Sequence, residues 1–110
     1  MSNIANALQQ AIRALQNGIQ VLGKPVQFFE AGAMTGRTVR ARVVYLSATE
    51  LANSIELYPM RITFDARDFT TRAPQKGDTV VIDDARRAIM QVAESHVGEV
   101  LVQYKCGVAG

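Results

Sequence analysis

Between Ser2 and Leu22 the apolar residues Ile4, Leu8, Ile12, Leu15, Ile19 and Leu22 recur at steps of three and four. That spacing lines side chains along one stripe of an α-helix. Ala5, Ala7, Ala11 and Ala14 add strong helix formers. Ser2 or Asn3 is placed to accept a hydrogen bond from the first turn, Gly23 to end the last turn, and Pro25 to stop the helix continuing. Gly18 weakens the final turns. The opposite face, with Gln9, Gln10, Arg13, Gln16, Asn17 and Gln20, is polar but almost uncharged, an unusual composition for a face that meets only water. At ~30 Å, a helix of about twenty residues is longer than a short strand pair, so the stripe is expected to overhang a small barrel at Ile4 and Leu8.

From Pro25 the apolar period becomes two, the signature of strands. The pattern predicts strands over Val26–Glu30, Thr38–Leu46, Arg61–Phe64, Thr79–Asp83, Ala88–Ala93 and Glu99–Lys105. In the second, Val39, Ala41 and Val43 face one way and Thr38, Arg40 and Arg42 the other. Ala31–Gly36 reads as a hairpin loop, Asp65–Arg72 as a turn or short helix capped by Asp65 or Asp68, and Pro74–Asp78 as a turn with Gly77 at positive φ. Asp84–Arg87 and Ser95–Gly98 read as further turns, and Cys106–Gly110 as a frayed tail. Phe28, Phe29, Phe64 and Phe69 fall at core positions. The fold class is α+β, mainly β: an N-terminal amphipathic helix (1–23) followed by a small antiparallel β-barrel or sandwich of about six strands (25–105), in one domain of 110 residues. Residues 47–59 break the strand pattern, yet this loop carries Leu51, Ile55, Leu57 and Tyr58. With Ile4 and Leu8, these form the expected oligomer or partner interface.

Composition narrows the function. With 48% apolar residues the chain can build a core, and 12 basic against 10 acidic residues give only +2. That balance does not by itself indicate a duplex binder. Arg37, Arg40 and Arg42 stand close on the first hairpin and form the one candidate face toward nucleic-acid phosphates, such as those of DNA in a channel. The lone Cys106 has no disulfide partner in the chain, and the first residues lack a basic flank and apolar run. No stretch approaches the ~20 apolar residues of a membrane span, so the chain is expected in the cytoplasm when made, away from membranes.

Catalytic signals are weak. His96 is alone and falls in a predicted turn, Ser47 and Ser54 lie outside any nucleophile motif, and Gly32, Gly36, Gly77 and Gly98 are isolated turn glycines. Asp83-Asp84 could hold a cation or form a solvated hairpin tip. The expectation is a binding protein with no catalytic residue, metal or cofactor.

Phe64-Asp65-Ala66-Arg67-Asp68-Phe69 and Pro74-Gln75-Lys76-Gly77-Asp78-Thr79-Val80-Val81-Ile82 are followed by Ala88-Ile89-Met90-Gln91-Val92 and Val100-Leu101-Val102. This order, over about Phe64 to Tyr104, resembles the head–tail joining (stopper, or head-completion) proteins of lambda-like long-tailed bacteriophages. There a short helical turn leads to a Gly-Asp turn, a strand, a tight hairpin and two more strands. The long helix departs from that family, whose N-terminus is shorter or mobile. The resemblance implies a β-barrel virion subunit of a homo-oligomeric ring in the neck. Its partners would be portal or adaptor and tail proteins, with DNA passing transiently through the lumen and neither catalysis nor cofactor. A tail-completion or tail-terminator ring, and a small-barrel nucleic-acid-binding module, are the alternatives.

Overall fold

The computed structural model describes residues 2–47, 49 and 58–109. Helix α1 spans Ser2–Leu22, the range its apolar spacing predicts. Six strands follow: β1 (Lys24–Phe29), β2 (Arg37–Tyr45), β3 (Met60–Asp65), β4 (Thr79–Ile82), β5 (Ala85–Val97) and β6 (Val100–Val108), with a 3₁₀ turn at Ala66–Phe69 between β3 and β4. They close into an antiparallel barrel in the order β1-β2-β3-β6-β5-β4, β4 pairing back onto β1. Of the predicted apolar loop, Leu51, Ile55 and Leu57 lie outside the described residues.

Alternation selects the inward face of each strand. Val26 and Phe28, Val39 and Ala41, Ile62 and Phe64, Val80 and Ile82, and Tyr104 and Cys106 fill the lumen. The barrel is a packed core rather than a pore. Asp65 accepts from the Arg67 backbone N–H at 2.9 Å and thereby caps the 3₁₀ turn. That turn drives Phe69 into one mouth of the barrel, where its ring centroid lies 5.0 Å from Phe28, 4.9 Å from Phe64 and 6.0 Å from Tyr104. Edge-to-face and tilted pairs of this kind are favourable beyond their buried area. Phe29, by contrast, faces outward beneath Arg86, whose guanidinium sits 4.3 Å from the ring centroid.

Asp78 ties this end together. Fully buried, it accepts from the Arg72 guanidinium at 2.8 and 3.0 Å and from the N–H groups of Gln75 at 2.8 Å and Ala31 at 2.9 Å. One carboxylate therefore holds the β1–β2 loop and the turn before β4. Burial pushes its pKa up, but the guanidinium and the two N–H donors outweigh burial and hold it below the usual carboxylate value. Gly77, just before it, takes φ +98°, as its turn requires.

Three boundaries differ from the sequence pattern. The β4–β5 turn is only Asp83-Asp84, both left-handed (φ 51° and 65°), and pairing resumes at Ala85. Such a two-residue turn matches the twist of the strands it joins. Strand β5 runs unbroken through Ser95 and His96 to Val97, so the histidine is on a strand rather than in a turn. Only His96 and Val97 extend past the end of β3, the register slips between Ser95 and His96, and with neither face fully buried the outer residues show no clean alternation. Finally, β6 continues through Gly107 to Val108, with Cys106 and Val108 wholly buried rather than frayed. Gly107 is glycine because the Tyr58 ring lies on it: a Cβ there would stand 2.6 Å from Tyr58 Cδ2.

Candidate interaction surface

The C-terminal end of α1 is firmly seated. The Gly23 N–H donates to Ile19 O at 2.8 Å, and Arg40 Nη2 donates to Gly23 O at 2.8 Å, satisfying carbonyls that a helix end leaves bare. Gly23 also sits close to the Ala41 carbonyl, where a Cβ would approach to 3.1 Å. From this anchor the helix lies along the outer wall of the barrel, over β2, β3 and β6 and toward the β5–β6 hairpin, rather than across an open end.

The stripe is unevenly used. Ile19 is 1% exposed, but Leu15 is 37%, Leu8 41%, Leu22 63% and Ile4 74% exposed. Leu8 still reaches the hairpin tip, its methyl carbons about 4 Å from where a Cβ on Gly98 would stand. Beyond it Ile4 overhangs. Predicted interface residues Ile4 and Leu8 are thus apolar and open, whereas Tyr58 is half-buried against this chain's own Gly107.

Between helix and wall runs a cleft of about 340 Å³. Leu15, Gly18 and Ile19 form its helix side, and Arg42, Val44, Arg61, Thr63, Gln103 and Lys105 its wall. Gly18 leaves the cleft open, since nothing lies within 4 Å of a Cβ placed there. Gln103 Nε2 comes 3.5 Å from the Leu15 carbonyl and is a weak link across the gap. Among the described residues the cleft therefore combines apolar surface with three cations and no carboxylate.

The structure does not gather Arg37, Arg40 and Arg42 into one surface. Arg37 has the parity of the inward residues and lies over the plugged mouth, its guanidinium 4.6 Å from the Phe69 centroid and 5.7 Å from that of Phe28. Arg40 and Arg42 do share the outer face of β2, but Arg40 caps the helix and Arg42 lines the cleft.

The remaining chemical candidates also have defined places. Burial pushes the Cys106 thiol up to about 12, with the charge of Asp78 adding to the effect, so it stays protonated. His96 Nε2 lies 3.7 Å from Glu94 Oε2 on the exposed arm. Asp83 accepts from Lys24 Nζ at 3.1 Å and from the Tyr45 hydroxyl at 3.0 Å, which hold its carboxyl below the usual range, while Asp84 is exposed beside it. This clamp fastens the β4–β5 turn to β1 and the end of β2. Among the described residues no three of His, Cys, Asp and Glu converge as metal ligands would.

Sequence reasoning missed Asp78 and the cleft. Outward parity on β2 and β6 marks Arg42 and Lys105, but only the strand order places them on one wall. A comparison of the chain with protein-family models and with curated protein sequences gives no match.

Proposed function

We propose that this protein is a structural subunit that assembles with copies of itself, and that its place is the head–tail neck of a bacteriophage particle. The observation that carries the assembly reading is the helix. It is anchored to the barrel at Ile19 and Gly23, yet Leu15, Leu8 and Ile4 of its stripe stay exposed, with Ile12 between them half-buried. A helix of this length is marginal without packing, and exposed apolar side chains in a row are a recurrent mark of contact surfaces.

The neck assignment rests on the resemblance between Phe64 and Tyr104. It is supported by a barrel that closes on itself and leaves binding to its outer wall, helix and projecting hairpin. In that reading, portal or adaptor and tail proteins are the neighbours and DNA passes through the ring.

The test is genetic and biochemical. A phage lacking this gene should accumulate DNA-filled heads and free tails, and the purified protein should join them on mixing. Normal particles made without the gene would rule the neck assignment out.

A further inference from the structure

The wall of the cleft has an ordered charge pattern. Arg42 pairs in register with Thr63, and Thr63 with Lys105, so the three stand in one row across β2, β3 and β6. At ~4.8 Å per strand, the two cations flank the threonine with their backbones about 10 Å apart. Arg42 and Lys105 make no hydrogen bond or ion pair among the described residues. Arg61, two pairs further along β3, lines the same wall.

Four acidic side chains are engaged within the chain. Asp65 pairs with Arg67, Asp78 with Arg72, Asp83 with Lys24, and Glu94 with His96. Glu99 is different. It is exposed at the tip of the β5–β6 hairpin, beside the half-exposed Val100, and Val100–Val102 project beyond the last β3–β6 pair at Gln103. The tip is thus a knob of one carboxylate and one apolar side chain. The cleft offers the complement, cations beside Leu15 and Val44. The tip cannot reach its own cleft, because Lys105 lies on the same extended strand, about 17 Å from Val100 at ~3.4 Å per residue.

We infer that the cleft between α1 and the barrel wall receives the β5–β6 hairpin tip of a second copy of this chain, Glu99 seating against Arg42 and Lys105. Knob and cleft are different surfaces of one chain, so the contact is head-to-tail and repeats from subunit to subunit, closing into a ring where the rotation permits. The cleft is a slot beneath a helix with no aromatic side chain in its lining, which disfavours a nucleic-acid strand that would stack its bases. This inference rests on the self-assembly reading above and names its contact.

Charge reversal tests it. Lys105→Glu and Glu99→Lys change exposed side chains, and circular dichroism should show both variants folded. Sedimentation at graded concentrations should show each single variant assembling at least about tenfold more weakly than the parent. The double variant, which restores opposite charges across the contact, should recover assembly. Parent-like assembly of both single variants, or a double variant no better than either, would overturn the contact while leaving self-assembly standing. A parent chain that stays monomeric throughout would instead remove the self-assembly reading and this contact with it.

Discussion

The plugged mouth of the barrel and its helix-covered wall are built on opposite principles. At the mouth, Phe69 is packed against Phe28, Phe64 and Tyr104, and the buried Asp78 is matched by Arg72 and two backbone donors. At the wall, a helix rides over a cleft whose Arg42 and Lys105 are unpaired among the described residues, with Leu15, Leu8 and Ile4 of its stripe exposed. The first region is complete within one chain and serves folding. In the assembly reading proposed above, a partner completes the second. Their difference separates what the chain needs to fold from what it keeps for contact.

If the mouth carries the stability, Asp78→Asn should cost most. Removing one partner of a buried pair typically costs about 3–5 kcal/mol, and the partial exposure of Arg72 places this case near 3. Urea unfolding checks the value. The sign with pH follows from a carboxylate held below its ordinary pKa. Its stabilisation is fully present above the unfolded value of about 3.9 and is lost as pH falls through the lower folded value. The parent should therefore lose stability in that acid range more steeply than Asp78→Asn. Parallel pH profiles would deny Asp78 its place as the tie.

On the wall, only the anchor should resemble the mouth. Ile19→Asp places an unpaired carboxylate at a 1% exposed site and should destabilise by several kcal/mol. Leu15→Asp, at a 37% exposed site bordering the cleft, should leave the chain folded. Equal losses in the two melts would mean that the helix is seated along its whole length.

Smaller effects sharpen the boundary. Gly77→Ala forces a side chain to φ +98° with open space around it, so the cost is backbone strain of about 1–2 kcal/mol. Gly107→Ala should destabilise by displacing the Tyr58 ring, and adding Tyr58→Ala should recover much of the loss. Absence of recovery in the double-variant melt would show that Tyr58 is not held on the wall.

The sequence made the mouth more legible than the wall. The spacing of Ile4 to Leu22 fixes the limits of α1, and alternation finds every strand and the inward Val39, Ala41 and Ile62, because both signals are local. Asp65 is recognisable as a cap for the same reason. The run Glu94-Ser95-His96 hid the outer half of β5, since neither face is fully buried there and the register slips between Ser95 and His96, leaving no alternation to read. Gly107 hid the end of β6, because its reason is Tyr58, a residue distant in sequence. The cleft was invisible for a stronger form of that reason. Its link from Gln103 to Leu15 spans 88 positions, and Arg42 meets Lys105 only through the β2-β3-β6 order. Adjacency in sequence likewise grouped Arg37 with Arg40 and Arg42, though side-chain parity separates them.

If the exposed part of the α1 stripe is an assembly surface that folding does not require, Ile4→Asp should separate assembly from folding. Sedimentation velocity of the parent chain beside Ile4→Asp, with thermal melts of both, tests it most directly. The parent should form a concentration-dependent oligomer and the variant a species close to the 12.0 kDa monomer, with matching melts when both are dilute and monomeric. An Ile4→Asp variant that assembles as the parent does would contradict it, as would one that unfolds.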